Sequence, residues 1–312
     1  SPMQKREQIA RRTTAALGYN ECVTYSFIDR ESAALFGGGT DVTMLENPIS
    51  SEMSHMRPDL LAGLLLAAAR NQARGFADLA LFEVGPVFSG GEPGEQQLQV
   101  AGLLIGRTGP KDVHGTARAV DLYDAKADAE AVLAAIGAPA KLQILRDAPG
   151  WFHPGRSGRI CLGPKKVLGV FGELHPKVLD AMDVKGPAVA FALWPAQVPE
   201  ARSKSATRPA LALRDLQAVE RDFAFVVDSK VEALTLVNAA AGADKALIDG
   251  VRVFDQFTGD KAEAQMSEGK KSIAITVRLQ PVEATLKEAE IEAVAKKVVE
   301  KVAKATGGVL RG

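Results

Sequence analysis

The sequence predicts an α+β protein in two parts: a large, mainly antiparallel sheet with flanking helices, then a smaller sheet of β-α-β-β-α-β order. Three observations carry that reading. Before residue 200, strand-like runs follow one another through Gly-rich hairpin signals such as Ser89-Gly-Gly91 and Gly163-Pro-Lys-Lys166, which favours antiparallel pairing over β-α-β winding. The stretch Glu200-Ala-Arg-Ser-Lys-Ser-Ala-Thr-Arg-Pro209 is rich in Ser and basic residues without apolar periodicity, as a linker is. Beyond it, period-2 and helical apolar patterns alternate. The expected domains are therefore 1–199 and 214–312, with a linker at 200–213.

In the first part, Ile9, Thr13, Ala16 and Leu17 recur at helical spacing over 4–17, and Gly18 ends the helix. Strands are expected at 23–28 and 42–45, and a helix at 58–73 with Leu61, Leu64, Leu65 and Ala68 along one side. Strands at 79–88 and 98–106 follow, then a helix at 122–136 stopped by Gly137. Shorter strands are expected near 141–145, 159–162, 167–173 and 188–193.

In the second part, Phe223, Phe225 and Val227 alternate with their neighbours as a half-buried strand does. A helix over 231–241 ends at Gly242, a strand over 247–257 leaves through Thr258-Gly259, and a polar loop reaches Gly269. Ile273, Ile275, Val277 and Leu279 alternate again. Thr285-Leu-Lys-Glu288 reads as a capping box opening a helix with Ile291, Val294, Ala295, Val298 and Val302 on one face. Gly307-Gly308 ends it and 309–311 can add an edge strand, which completes a ferredoxin-like arrangement.

The 312 residues are 46% hydrophobic, which excludes a mostly disordered chain. The longest nearly unbroken apolar run, 60–69, is about half the roughly 20 residues of a membrane-spanning helix. No membrane association and a cytoplasmic setting are expected. Cys22 and Cys161 are too few and too far apart for a disulfide framework, which fits a reducing compartment. The opening Ser1-Pro2-Met3 reads as the start of a piece of a longer protein. Lys plus Arg (38) balance Asp plus Glu (38), and residues 214–312 hold 15 against 16, so global basic excess gives no argument for nucleic-acid binding. Local recognition stays open.

Catalytic signatures are missing. There is no phosphate-cradling G-x-x-x-x-G-K-[S/T] and no Cys/His spacing suited to a metal. His153-Pro154 and His175-Pro176 suggest either imidazoles satisfied in proline-set turns or, with a carboxylate, the machinery of an autonomous hydrolase. Ser50, Ser51 and Glu52 with His55 lack a nucleophile elbow, and Glu83 and Glu173 would act as a pair only if brought together in space. No catalytic or metal-binding residue is assigned.

A family resemblance runs through nearly the whole chain. The run Asn47-Pro-Ile-Ser-Ser-Glu-Met-Ser-His-Met-Arg-Pro-Asp-Leu-Leu-Ala-Gly-Leu64, together with Leu81-Phe-Glu-Val-Gly85, His153-Pro-Gly-Arg-Ser157 and Phe171-Gly-Glu-Leu-His-Pro176, resembles the C-terminal half of the bacterial phenylalanine–tRNA ligase beta subunit. Arg221-Asp222, Val253-Phe-Asp-Gln-Phe-Thr-Gly259 and Glu268-Gly-Lys-Lys-Ser-Ile273 resemble its anticodon-binding domain. The resemblance implies a class II synthetase-like core that lacks an active site, followed by a ferredoxin-fold module that binds the tRNA anticodon. It implies an alpha-subunit partner in an assembly of two alpha and two beta subunits, with ATP and Mg2+ used by the whole complex and no cofactor in this part. Residues 4–28 would correspond to motif 1, a subunit-contact element, leaving apolar faces around Ile9 and Leu17 or at 61–66 exposed without partners. Residues 79–88 and the neighbourhood of Gly186-Pro-Ala-Val-Ala-Phe-Ala192 would stand at motifs 2 and 3, without the arginines that clamp ATP. Asp255, Phe257 and Ser272 would touch the anticodon, and Lys270, Lys271 and Arg278 its phosphates. Phe257 stands where the family often has Tyr, which keeps stacking and drops a hydroxyl. From the residues alone, core packing stays open for Phe257, and turn or strand-edge hydrogen bonding for Asp255 and Ser272. A general RNA-binding regulator is the third reading.

Overall fold

Ser1 accepts from the Gln4 amide (3.3 Å) and Pro2 fixes the first turn, so helix α1 runs Pro2–Ala16, with Ala10 and Thr14 buried. In the computed structural model the described residues are 1–109, 113, 115, 117–200, 210, 211 and 213–311. Strand β1 is only Asn20–Glu21 and β2 only Phe27–Ile28. Helix α2, Arg30–Leu35, starts where the Asp29 carboxylate accepts from the Ser32 amide at 2.8 Å. Strand β3, His55–Met56, pairs with β2. Helix α3, Leu60–Gln72, is apolar around most of its circumference and accordingly buried. The chain continues through β4 (Leu79–Phe88), β5 (Gln96–Ile105), α4 (Leu122–Ala135), β6 (Gln143–Leu145), β7 (Phe152–Leu162), β8 (Lys166–Leu174), α5 (Pro176–Ala181) and β9 (Ala188–Leu193).

These strands form a seven-stranded sheet in the order β1-β4-β5-β9-β8-β7-β6, with only the β1–β4 pair parallel. Both faces are covered. Leu81, Ala101 and Leu103 face a cluster that includes Leu61, Leu64 and Leu65 of α3. Phe82, Val84, Val100 and Phe191 face a second cluster with Ala129, Val132 and Leu133 of α4. That is why β9 reads as an unbroken apolar run: all six residues are buried. Gly102 lies opposite Phe191, and a Cβ there would fall 2.4 Å from the ring, so glycine makes room for that ring.

Residues 214–311 build the second sheet. Strand β10 is Val219–Asp228, helix α6 Ala233–Ala241, strand β11 Ile248–Phe257, helix α7 Asp260–Met266, strand β12 Lys270–Leu279, helix α8 Glu288–Thr306 and strand β13 Val309–Leu310. The order β11-β12-β10-β13, antiparallel throughout, is ferredoxin-like. Phe225, Ile273, Ile275 and Val277 pack with Leu236 of α6 and with Val294, Val298 and Val302 of α8. Gly307 closes α8 in the left-handed region at φ 66°, where a side chain would be strained. The chain divides into two compact units, 1–204 and 205–312. Most of the expected linker at 200–213, residues 201–209 and 212, lies outside the described residues.

Several expectations need correction. Of 23–28 only Phe27–Ile28 is strand, because Thr24 turns to Glu83 and leaves Val23 and Tyr25 exposed without a partner strand. Residues Asp41–Thr43 form a short 3-10 turn rather than a strand, and only Met44 makes a bridge, to His55. The segment expected as a loop up to Gly269 contains α7, anchored by buried Ala262. Helix α8 starts at Glu288 rather than Thr285, because the Glu290 carboxylate takes the Lys287 amide at 2.7 Å. Leu61, Leu64 and Leu65 are fully buried, so of the apolar helix faces expected to be open only Leu17 is exposed.

Candidate nucleic-acid interface

Helices α6 and α8 cover one face of the ferredoxin-like sheet, and register decides which side chains take the other. On β12, Ile273, Ile275, Val277 and Leu279 face the helices, so Lys270, Ser272, Ala274, Thr276 and Arg278 line the open face. Asp222, Ala224 and Val226 of β10 stand opposite Thr276, Ala274 and Ser272 on that face. From β11, Arg252 pairs with Thr276 and Val253 with Ile275; the register then shifts, so that Asp255 pairs with Ala274 and Phe257 with Ser272.

That shift matters. Strict alternation after Val251 and Val253 would turn Asp255 and Phe257 toward the helices. A one-residue bulge at Phe254, itself 48% exposed, turns them outward. The structure thus brings Asp255, Phe257 and Ser272 together on one face, with Phe257 directly across from Ser272. Asp255 is exposed, Phe257 half-buried and Ser272 buried, and Phe257 stands outside the apolar core cluster. Beside them on the same face stand the small side chains of Ala274, across from Asp255, and Ala224, one strand further on, a level floor next to a ring and a carboxylate. Such a surface can stack one unpaired base and accept hydrogen bonds from its edge.

The three expected phosphate contacts separate. Lys270 lies on the open face opposite Asp228. Arg278 lies there too, ion-paired with Asp249 and donating to Gln280 Oε1 at 3.4 Å. Lys271 pairs with Val227 on the helix-covered side and is buried. Missed from sequence were Arg252 and the Thr276–Asp222 hydrogen bond (2.7 Å) on the same face. Alternation around Val251 and Val253 would have pointed to Arg252.

In the larger unit, β4 carries Glu83, and an arginine does reach it, from β3–α3 rather than from the strand itself. Arg57 Nη1 donates to Glu83 Oε1 at 2.7 Å and to Thr24 Oγ1 at 3.0 Å, while its Nε donates to the Pro86 carbonyl at 3.0 Å. Thr24 Oγ1 donates to Glu83 Oε2 at 2.7 Å. Arg57 is 2% and Glu83 4% exposed, so the guanidinium is consumed inside the fold. Beside them Asp59 accepts from Gln99 Nε2 (3.0 Å) and from the Leu61 amide (2.9 Å). Burial pushes the Asp59 carboxyl up to about 6. A folded-state value above the unfolded one means that this group's stabilisation is present at low pH and is lost as pH rises from about 3.8 through about 6. Urea unfolding of Asp59→Asn across that range should therefore show a flatter pH profile than the parent; an unchanged profile would contradict this assignment.

The histidines meet local partners. His153 Nδ1 accepts from the Gly155 amide and His175 Nδ1, at the N-cap of α5, from the Lys177 amide, both at 3.1 Å. Glu173 is bound by Arg156, which holds its carboxyl below the usual range. Glu83 and Glu173 are thus each committed to a different arginine, and no pair of carboxylates forms. Among the described residues no group of His, Cys, Asp and Glu is placed to hold a metal ion, and no helix is long and apolar enough to cross a membrane.

An open-faced ferredoxin sheet of this kind defines a class: residues 215–311 match the model of the ferredoxin-fold anticodon binding domain. Residues 1–194 match that of the phenylalanyl tRNA synthetase beta chain CLM domain, and the chain belongs to this phenylalanyl-tRNA synthetase beta-chain family. It is 80% identical over its whole length to the phenylalanine–tRNA ligase beta subunit of Ruegeria pomeroyi, covering 39% of that protein. To the same subunit of Cereibacter sphaeroides it is 72% identical, again over all of this chain and 39% of the relative. To that of Rhodospirillum rubrum it is 51% identical, over all of this chain and 38% of the relative. The chain thus spans about two fifths of the length of the curated relatives it matches.

Proposed function

We propose that this chain is the scaffold and anticodon-binding part of a phenylalanine–tRNA ligase beta subunit. With an alpha subunit, two copies of each, it serves the ATP- and Mg2+-dependent attachment of phenylalanine to tRNA in the cytoplasm. The observation that carries this reading is the open face on which a bulge sets Phe257 and Asp255 outward beside Ser272. Phe257 stacks on an unpaired anticodon base, and Asp255 accepts from its edge, a match for the amino and imino donors of guanine. Ser272 supplies a hydroxyl from the floor.

The larger unit carries no chemistry of its own in this reading. Arg57, the arginine that reaches Glu83 on β4, gives no clamp for ATP: it is sealed against that carboxylate and Thr24 rather than turned to a phosphate. Val23 and Tyr25, 89% and 71% exposed on a segment without a partner strand, give the alpha subunit an apolar surface to cover. Co-purification with a separately expressed alpha subunit, followed by titration with cognate and anticodon-altered tRNA, tests the reading. Binding of alpha and a preference for the cognate anticodon are expected. Failure to bind alpha, no discrimination between the tRNAs, or pyrophosphate exchange by the chain alone would overturn it.

A further inference from the structure

On the open face of the ferredoxin-like sheet the cations are not equivalent. Arg278 is tied to Asp249 and Gln280, and Lys270 stands opposite an aspartate at the end of β12. Arg252 is exposed and makes no ion pair with any described residue. Its neighbour across the strand, Thr276, gives its hydroxyl proton to Asp222, so that carboxylate is already engaged one strand further away.

Position adds to charge. Arg252 sits opposite Thr276 and Phe257 opposite Ser272, four residues apart on β12, or about 13 Å at roughly 3.3 Å per residue. Asp255 and the alanine floor lie between. A single strand with one base on Phe257 that continues along β11 past Asp255 would carry its backbone to Arg252. A guanidinium free of protein anions is suited to a phosphodiester, which it can grip through two parallel N–H bonds.

Resting on the reading that this face binds tRNA, we propose that Arg252 is a backbone anchor: it holds a phosphate of a nucleotide flanking the base stacked on Phe257, and sets the direction in which the RNA crosses the sheet. A phosphate contact strengthens all sequences alike and carries counterion release, whereas base contacts discriminate.

The test uses the whole chain and a synthetic anticodon stem-loop of phenylalanine tRNA, with an anticodon-altered version, titrated across a salt series. Arg252→Ala should weaken both RNAs by the same factor and lower the slope of log K against log salt by about 1. Arg252→Lys should keep the slope. An unchanged affinity and slope for Arg252→Ala, while Phe257→Ala still weakens binding, would overturn the anchor and leave the tRNA reading standing. Loss of discrimination without a change of slope would overturn it in favour of a base contact. Indifference of both variants would remove the tRNA reading itself, and the anchor with it.

Discussion

Replacing Arg57 with methionine is expected to destabilise the larger unit by about 3–5 kcal/mol, because Glu83 is left charged and buried without its partner. Two further bonds fail with it, those from the guanidinium to Thr24 and to the Pro86 carbonyl. Urea unfolding of the chain measures the loss. The control is the double variant Arg57→Met with Glu83→Leu, which removes both charges and should recover most of it, since an apolar pair of similar volume is often no worse than a buried ion pair. A cost below about 1 kcal/mol for Arg57→Met alone, the size of an exposed pair, would contradict the view that this ion pair seals the interior.

Phe257→Ala should weaken tRNA binding by roughly 1–3 kcal/mol, about 5- to 150-fold, the usual worth of one stacked base. The fold should survive, because the ring is half-buried and outside the cluster formed by Phe225, Ile273, Ile275 and Val298. Phe257→Tyr should bind at least as well as the parent, since it keeps the ring and adds a hydroxyl. Filter binding or fluorescence anisotropy with the whole chain reads both variants, and circular dichroism confirms that they fold. Equal affinities for Phe257→Ala and the parent would remove the stacking assignment.

Much of the architecture was legible because long elements obey one period. The strand at Leu79–Phe88 and the strand at Ala188–Leu193 are found where the apolar runs place them, and α8 shows its buried Ile291, Val294, Val298 and Val302 directly in the sequence. Short elements were lost for the opposite reason. Helices of six or seven residues, at Arg30–Leu35, Pro176–Ala181 and Asp260–Met266, complete too few turns for a 3.6 period to emerge. Their caps were the available signal for the first two: Asp29 before one, and His175 followed by proline before the other.

The candidate site was legible in residue type and illegible in geometry. Asp255 and Phe257 stand two apart, which suggests a shared face, yet the alternation of Val251 and Val253 assigns that face to the helices. Only the bulge at Phe254 reverses it, and no glycine or proline marks the bulge. Lys271 shows the same difficulty in reverse: its charge suggests the open face, while pairing with Val227 fixes it on the other. The arginine of the larger unit was hidden differently, because Arg57 meets Glu83 across 26 positions of sequence and no local pattern links them.

The most direct test of the open-face account is a photocrosslink. A phenylalanine tRNA carrying a photoreactive base in its anticodon is irradiated with the whole chain, and the modified peptide is mapped by mass spectrometry. Adducts within strands β11 or β12, at or beside Asp255, Phe257 and Ser272, are the predicted result. Adducts confined to α6, α8 or residues 1–194 would contradict it.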